Sequence, residues 1–314
     1  MYLVCDGGGT KTDFLLFDAR GTVLACWRGA GTNALFCPVE AAAAVVCEGV
    51  RRCLQRAGAK PEDLRRVALF IPGFRAALPL VEAELGVRGI ALQGDAESAF
   101  YGALGGTAGI VVLSGTGSFC LGRDRTGTAA RAGGWGPLFG DEGSGYHIGL
   151  LCLGEITRQY DAGAADSPLT ALALRQLDVP DVPSLRSAQT DAARFGRAGI
   201  ASLTRAVGQA ALQGDPAAGR VLDAAAQALV RLTATVAARL AADGLPVSLT
   251  GGVAAMGEPL VGRFRRALAG ALPGCPYRAP RYAPVVGAAL CLLHDMEGLD
   301  ISDPALLERL TERP

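Results

Sequence analysis

A faint internal repeat constrains the fold of this chain more than any other feature of the sequence. One copy starts near residue 2 and the other near residue 110. In both copies an apolar run leads into a glycine-rich turn, which is followed by a second apolar run, a polar turn and a third run. Apolar runs bounded by turn residues are typical of β-strands. The repeat therefore predicts two halves that each open with three strands joined by turns.

Helical patterns fill most of the remaining sequence. Serine or aspartate followed by proline supplies an N-cap and a first-turn proline, and this pair occurs at Ser167 and at Asp215. Strands that alternate with helices indicate an α/β protein. The expected elements outside the repeat are a helix from about Val39 to Ala57, a strand from Arg66 to Phe70, a helix after Asp95, helices that open at Pro168 and Pro216, a strand from Pro246 to Leu249, a helix to about Ala271 and a final helix from about Pro284.

The charge pattern excludes some classes of function. Thirty basic residues balance thirty acidic ones, and like charges form no block. Nucleic acids and membrane surfaces attract basic patches, so neither is an expected partner. The longest uncharged run, between Glu97 and Arg123, holds seven glycines, which disfavours a spanning helix. The nine cysteines form no C-x-x-C pair, and the first segment is strand-like rather than a signal peptide, so we expect reduced thiols in a cytoplasm.

The first glycine turn (residues 6–12, DGGGTKT) has the composition of a phosphate site. Glycines let several backbone N–H groups converge on one point, hydroxyls add donors and a lysine adds positive charge. Asp6 at the strand end could hold a hydrated Mg²⁺ ion. Tight structural hairpins also use glycine, so this turn alone leaves both interpretations open. The candidate phosphate ligands are Gly7, Gly8, Gly9, Thr10, Lys11 and Thr12.

Two further glycine turns strengthen the phosphate interpretation. The second (residues 114–118, SGTGS) is another glycine-rich turn with hydroxyl side chains, in the second half of the chain. Two such turns facing each other across a cleft could bind a polyphosphate from both sides. The third (residues 249–253, LTGGV) lies between a strand and a helix. No G-x-G-x-x-G follows the first strand and no GxxxxGK[ST] occurs, which disfavours dehydrogenases and P-loop ATPases. The candidate nucleotide ligands in these turns are Gly115, Thr116, Gly117, Ser118, Gly251 and Gly252.

The three turns resemble, in order and spacing, the phosphate-1, phosphate-2 and adenosine motifs of the actin-like sugar-kinase superfamily. The signature segment (residues 133–146, GGWGPLFGDEGSGY) resembles that of N-acetylglucosamine kinases in the BadF/BadG/BcrA/BcrD ATPase family. The resemblance implies an α/β fold of two ribonuclease-H-like domains around a central cleft. The domains would span residues 1–105 with a C-terminal helix at 284–314, and residues 106–283. It also implies ATP and Mg²⁺ as cofactors.

The resemblance assigns roles to several polar residues. Asp95 stands at the position of the family's catalytic aspartate, whereas its local sequence alone is also that of a helix N-cap. Family members more often have Asn-Asp-Ala where this chain has Gly94 before Asp95, so an amide contact to substrate is open. Trp135 could lie in a core, but its flanking glycines suggest backbone close to substrate. The implied sugar contacts are Asn33, Asp95, Thr116, Gly134, Trp135, Gly136 and Asp141.

Other residues carry weaker patterns. His147 and His294 share no motif and are expected to be structural, and no zinc site is implied. The sequence leaves open the roles of Glu97, Glu142 and Cys120.

Two functions from different classes fit the sequence, and a third ranks last. The first is an ATP-dependent kinase acting on the 6-hydroxyl of N-acetylglucosamine or a related amino sugar, glucosamine or N-acetylmuramic acid among them. The second is a non-kinase ATPase that activates a partner enzyme, like the dehydratase and reductase activators of the same family, although no cysteine spacing marks an iron-sulfur cluster. The third is a sugar-sensing regulator. Homodimers are common among similar kinases.

Overall fold

The computed structural model describes residues 1–33, 37–164, 166–241 and 243–312. Their strands are β1 (Tyr2–Gly7), β2 (Lys11–Phe17), β3 (Val23–Ala30), β4 (Arg66–Phe70), β5 (Ala91–Gln93), β6 (Gly109–Ser114), β7 (Ser118–Arg123), β8 (Ala129–Gly133) and β9 (Val247–Thr250). Their helices are α1 (Val39–Ala57), α2 (Leu78–Leu85), α3 (Asp95–Leu104), α4 (Gly145–Asp161), α5 (Pro168–Leu177), α6 (Leu185–Ala188), α7 (Ala192–Phe195), α8 (Arg197–Ser202), α9 (Thr204–Leu212), α10 (Pro216–Arg239), α11 (Glu258–Ala271), α12 (Pro284–Cys291) and α13 (Pro304–Thr311).

The chain forms two compact units. Unit 1 comprises residues 1–107 and 280–314, and unit 2 comprises residues 108–279. The predicted domain limits stay a prediction, because compactness does not measure independent folding. Positions 313 and 314 of the predicted C-terminal helix segment lie outside the described residues.

The two units share one strand plan. The sheet of unit 1 has the order β3-β2-β1-β4-β5, and the sheet of unit 2 has the order β8-β7-β6-β9. In both, the first strand pairs antiparallel with the second and parallel with a later strand, β4 in unit 1 and β9 in unit 2. The glycine turns join the two antiparallel strands. The duplicated pattern that the sequence predicted is therefore present in both sheets.

Local capping explains where several helices begin. Ser167 caps α5 by accepting the Thr170 N–H at 3.1 Å. Asp215 caps α10 through Oδ1, and its Oδ2 accepts the Leu169 N–H at 2.8 Å. Side-chain acceptors satisfy N–H groups that lack partners inside a helix, so both predicted helix starts are confirmed. The Asp215 carboxylate additionally ties the start of α10 to the start of α5.

The long helix α10 provides much of the core of unit 2. It is long and apolar enough to cross a membrane by length and composition, but more than half of its apolar stretch is buried within the protein. Leu222, Ala225, Leu229 and Val236, which recur at helical spacing, are fully buried. This apolar stripe packs into the core of unit 2. The sequence did not predict that residues 185–202 form three short helices, α6 to α8.

Candidate active site

The first glycine turn joins β1 to β2 and lies against the loop that follows β3. The Gly8 carbonyl accepts the N–H groups of Thr32 and Asn33 at 3.1 and 3.2 Å. A Cβ atom at Gly31 would lie 2.5 Å from the carbonyl oxygen of Gly9. The loop therefore passes the turn in direct backbone contact, and the predicted sugar ligand Asn33 is hydrogen-bonded to the predicted phosphate turn.

Side chains of the first turn differ in what they can offer a ligand. Thr10 and Lys11 are exposed, and the Lys11 ammonium pairs with Asp13 Oδ2 at 2.8 Å. Thr12 is fully buried, and its hydroxyl donates to the Ala30 carbonyl at 2.8 Å. The Thr12 hydroxyl proton thus forms a hydrogen bond between strands β2 and β3. In this structure the turn offers mainly backbone N–H groups and the Thr10 hydroxyl.

Asp6 and Asp95 lie close together in unit 1, joined through Ser98. Asp6 is on β1 and Asp95 is the first residue of α3, with Gly94 at the N-cap position. The Ser98 hydroxyl donates to Asp6 Oδ1 at 2.5 Å and lies 3.0 Å from the Asp95 carbonyl oxygen. Because Gly94 takes the cap, the alternative that Asp95 is a helix N-cap does not hold. Asp95 nevertheless lies in the first turn, where the helix dipole favours a negative charge.

Burial raises the pKa of Asp6 to about 7, with the charges of Asp95 and Asp13 adding to the rise and the Ser98 hydrogen bond opposing it. A carboxylate held among negative charges gains from a nearby cation. Mg²⁺ prefers oxygen ligands from one or two carboxylates plus water and phosphate. The residues around Asp6 therefore fit a magnesium ion.

The second glycine turn joins β6 to β7 and is enclosed by the signature segment. The Gly145 N–H donates to the Gly115 carbonyl at 2.7 Å. The Ser114 hydroxyl donates to the Gly143 carbonyl at 2.7 Å, and the Ser118 hydroxyl donates to the Glu142 carbonyl at 2.7 Å. The two hydroxyl bonds join residues 24 and 29 positions apart, and so bring the second turn and the signature segment together in unit 2.

The third glycine turn follows β9 and also reaches the second turn. The Val253 N–H donates to the Ser114 carbonyl at 2.9 Å, and Gly251 adopts a φ of +103°. A Cβ atom at Gly251 would collide with the Ser114 carbonyl oxygen. Gly252 has open space around it. The second turn, the third turn and the signature segment are thus adjacent in unit 2. Adjacent motifs are what a single ligand-binding site in this unit would need.

Inside the signature segment, Asp141 and Trp135 have contrasting surroundings. Asp141 is 3% exposed, has a φ of +63° and accepts the Ser118 N–H on Oδ1 at 3.1 Å. Its Oδ2 pairs with Arg197 Nη2. Trp135 is 76% exposed, so the alternative that it is a core residue does not hold. Gly134 and Gly136, on either side of Trp135, both have positive φ values.

Comparison with known proteins identifies the family. The model of the BadF/BadG/BcrA/BcrD ATPase family matches residues 5–291. The chain belongs to this family. It is 32% identical, over 84% of its own length and 88% of the relative's, to an N-acetylmuramic acid/N-acetylglucosamine kinase of Clostridium acetobutylicum. It is 28% identical to an N-acetyl-D-glucosamine kinase of Dictyostelium discoideum, over 80% of this chain and 85% of that one.

Solved structures agree with this family assignment. A protein of Chromobacterium violaceum, assigned as an N-acetylglucosamine kinase, superposes with a TM-score of 0.74 at 28% identity, covering 93% of this chain and 98% of that one. The expected fold class, two α/β domains of the actin-like ATPase type, is confirmed. The family member described here is an ATP-dependent kinase of small-molecule sugars.

Three contributors to this kinase's candidate site escaped the sequence analysis. Ser98 could have been noticed, because it lies three residues after Asp95 and hence on the same side of α3. Thr32, whose hydroxyl lies 2.9 Å from that of Thr12, directly precedes Asn33. Arg197 lies 56 residues beyond Asp141 in sequence and carries no motif. Its position could come only from tertiary structure.

Both histidines are hydrogen-bonded, as expected of structural residues. His147 Nδ1 accepts the Gly143 N–H at 3.0 Å, which ties α4 to the signature segment. His294 Nδ1 lies 3.1 Å from Tyr101 Oη and 2.8 Å from Asp295 Oδ1.

Glu97 and Cys120 have defined surroundings as well. Glu97 belongs to a group with Cys291 and Asp295, whose ligand atoms lie within 4.8 Å of one another, so it faces α12. Cys120 is fully buried on β7, and burial raises the pKa of its thiol. A buried, protonated thiol is poorly suited to ligating a metal cluster.

Proposed function

We propose that this kinase transfers the γ-phosphoryl group of ATP to the 6-hydroxyl group of N-acetylglucosamine or of a related amino sugar, glucosamine or N-acetylmuramic acid. The relatives from Clostridium acetobutylicum and Dictyostelium discoideum, which are named for such kinases, support this substrate class. The observation that carries the chemistry is the adjacency of Asp6 and Asp95 through Ser98. Phosphoryl transfer to a hydroxyl needs one carboxylate for the metal ion and another for the proton.

In the proposed reaction Asp95 is the general base. It takes the proton from the sugar 6-hydroxyl as that oxygen forms a bond to the γ-phosphorus and the bond to the β-phosphate oxygen breaks, releasing ADP. Asp6 would hold Mg²⁺, which neutralises charge on the β- and γ-phosphates when bound. The Ser98 hydrogen bond fixes the orientation of the Asp6 carboxylate. The same hydroxyl lies 3.0 Å from the Asp95 backbone carbonyl oxygen, and so ties the start of α3 to Asp6.

The remaining predicted residues bind and orient the two substrates in this proposal. The two turns, residues 7–12 and 115–118, would bind phosphate oxygens through backbone N–H groups, as such glycine nests do. The Gly8 and Gly115 N–H groups shape the turns instead, because they donate to the Lys11 and Gly117 carbonyls. Gly251 and Gly252 would approach the adenosine. Sugar contacts are proposed for Asn33, Thr116, Gly134, Trp135, Gly136 and Asp141. The exposed Trp135 ring offers an apolar face suited to stacking on a pyranose.

ATP-dependent ADP release with four separate sugars tests the function. N-acetylglucosamine, glucosamine, N-acetylmuramic acid and glucose are compared with a blank without sugar, and phosphorus NMR of the product identifies the phosphorylated hydroxyl. We expect stimulation by one or more amino sugars and a 6-phosphate product. A product phosphorylated at another hydroxyl would overturn the proposed regiochemistry and leave the kinase class intact.

The Asp95→Asn variant tests the general base. We expect kcat to fall by about 10² to 10⁴, the usual contribution of general-base catalysis, while ATP binding is retained. Asp161→Asn, at the exposed end of α4, is the matched control and is expected to turn over normally. An unchanged kcat in Asp95→Asn would remove Asp95 from the mechanism.

The same assay separates the kinase from an activator ATPase. ADP release at the same rate with and without each sugar would favour activation of a partner enzyme. In that case an anaerobic visible spectrum would show an iron-sulfur cluster. The burial of Cys120 argues against that outcome.

We further propose a cytoplasmic enzyme without nucleic-acid or membrane partners. No disulfide bond links the cysteines in the described part of the chain, which is typical of a reducing compartment. The homodimer suggested by the family is part of this proposal, and light scattering tests it.

A further inference from the structure

The carboxylate of Asp141 is buried beside the second glycine turn, with a guanidinium group as its counter-charge. The side chain of Asp141 is 3% exposed and that of Arg197 is 16% exposed. Asp141 Oδ1 accepts the Ser118 N–H at 3.1 Å, and Oδ2 pairs with Arg197 Nη2. Arg197 is the first residue of α8. One carboxylate thus links the signature segment, the second turn and a short helix of unit 2.

Stability alone does not account for this ion pair. Removing two charges from water costs free energy, and a buried ion pair often stabilises a fold no better than apolar side chains of similar volume. The Asp141 backbone also adopts a left-handed φ of +63°, a conformation that is costly for a residue with a side chain. Two costly features at one residue indicate that the position of its carboxylate serves function.

The turn itself is shaped around the pair. A Cβ atom at Gly117 would lie 2.9 Å from Arg197 Nη2 and 2.9 Å from Asp141 Oδ1. Any larger residue at position 117 would have to displace these groups. The guanidinium and the carboxylate therefore lie in contact with the backbone that is proposed to bind phosphate.

We propose that Arg197 is a positioning residue, which holds the Asp141 carboxylate at the second turn and thereby sets the affinity for the sugar. This inference rests on the proposed function, in which Asp141 binds sugar hydroxyls. An ionised carboxylate has about four acceptor sites, of which Arg197 and the Ser118 N–H take two. The remaining sites can accept two hydroxyl groups of a sugar. Arg197 acts through Asp141 and not on the reacting atoms.

Steady-state kinetics of Arg197→Gln test the proposal. We expect KM for the preferred sugar to rise about tenfold or more, equivalent to about 1.4 kcal/mol, with KM for ATP nearly unchanged. Arg197→Lys keeps the positive charge but loses the planar guanidinium group with its paired N–H donors. The sugar KM of Arg197→Lys should therefore lie between those of wild type and Arg197→Gln. The matched control is Arg194→Gln, which removes a neighbouring, half-exposed ion pair with Asp191 and should leave both KM values unchanged.

A double variant distinguishes positioning from an independent role. If Arg197 acts through Asp141, Arg197→Gln combined with Asp141→Asn should raise the sugar KM no further than Asp141→Asn alone. Additive effects would overturn the proposal. So would an unchanged sugar KM in a folded Arg197→Gln protein, or an equal rise in the KM for ATP.

Amide hydrogen exchange gives a readout that does not need activity. The Ser118 amide, which donates to Asp141, should exchange faster in Arg197→Gln and in Asp141→Asn, but not in Arg194→Gln. Unchanged exchange in Arg197→Gln would overturn the positioning role whatever the kinetics show. Absence of sugar phosphorylation by the wild-type protein, with exchange changed as expected, would overturn the proposed function and confine Arg197 to holding Asp141.

Discussion

The first and second glycine turns follow the same strand plan but differ in part of the contacts that hold them. The first is packed against backbone, because Gly31 approaches Gly9 and the Gly8 carbonyl accepts two N–H groups of the adjacent loop. The second also accepts backbone bonds, from the Gly145 and Val253 N–H groups, but its Gly117 lies against side chains, those of Asp141 and Arg197. A new side chain at Gly31 would therefore meet backbone, whereas one at Gly117 would meet side-chain ends. Backbone contacts cannot yield to a new side chain, whereas side-chain ends can move.

The residue before the glycines differs as well. Asp6 precedes them in the first turn, and Ser114 takes the equivalent place in the second. Asp6 lies close to the carboxyl of Asp95, whereas the Ser114 hydroxyl donates to a backbone carbonyl at 2.7 Å. Only the first turn therefore combines glycines with an acidic site suited to a cation.

The largest expected effect concerns this acidic site and the pH. The folded-state pKa of Asp6, about 7, lies above its ordinary value of 3.8, so metal-free protein should lose stability as pH rises from about 4 to about 7. Asp6→Asn removes this loss and should be more stable than wild type above pH 7 by up to about 4 kcal/mol, with no advantage near pH 4. Urea unfolding in a chelator, across pH, measures the difference.

Ser114→Ala provides the contrast in the second turn. It should cost about 1 kcal/mol through the lost hydrogen bond, and the cost should not vary with pH. A pH-independent difference between Asp6→Asn and wild type would show that the pKa of Asp6 is not raised in the folded protein.

A smaller effect is expected from Gly31→Ala, which tests the backbone support of the first turn. The new Cβ would lie 2.5 Å from the Gly9 carbonyl oxygen and 2.8 Å from the Thr10 nitrogen, so backbone must shift. Displacing a catalytic turn by about 1 Å can cost about 10² in rate, and we expect a loss of that size in kcat/KM for ATP. Gly154→Ala on α4, where the new methyl meets nothing within 4 Å, is the control. Normal activity in Gly31→Ala would show that the turn tolerates movement.

The smallest effect is expected from Gly117→Ala in the second turn. Its Cβ would meet side-chain ends, Arg197 Nη2 and Asp141 Oδ1, which can move aside. We expect about a tenfold rise in the sugar KM, about 1.4 kcal/mol, and a smaller change in kcat. Gly270→Ala on α11, in open space, should change neither parameter. A loss of catalytic efficiency in Gly117→Ala as large as that in Gly31→Ala would contradict the proposed difference between the two turns.

The sequence by itself determined the parts of this protein that depend on local chemistry. The strands of the repeat, the turns between them and the starts of α5 and α10 at Ser167 and Asp215 follow from apolar runs, glycine and capping residues. Each of these features is decided within a few residues of chain. For that reason the α/β class and the order of the three glycine turns could be predicted without coordinates, whereas the two-domain fold came from the family resemblance.

Tertiary structure decided which polar groups meet. The Ser98 hydroxyl reaches Asp6 across 92 residues, and Arg197 reaches Asp141 across 56. The hydroxyl of Thr12, which is predicted to bind phosphate, donates to the Ala30 carbonyl on the neighbouring strand. No local pattern encodes such contacts, because they depend on how separate elements pack and which groups become buried together. Burial then fixes partners and pKa values, since a polar group removed from water must find its hydrogen bonds inside the fold.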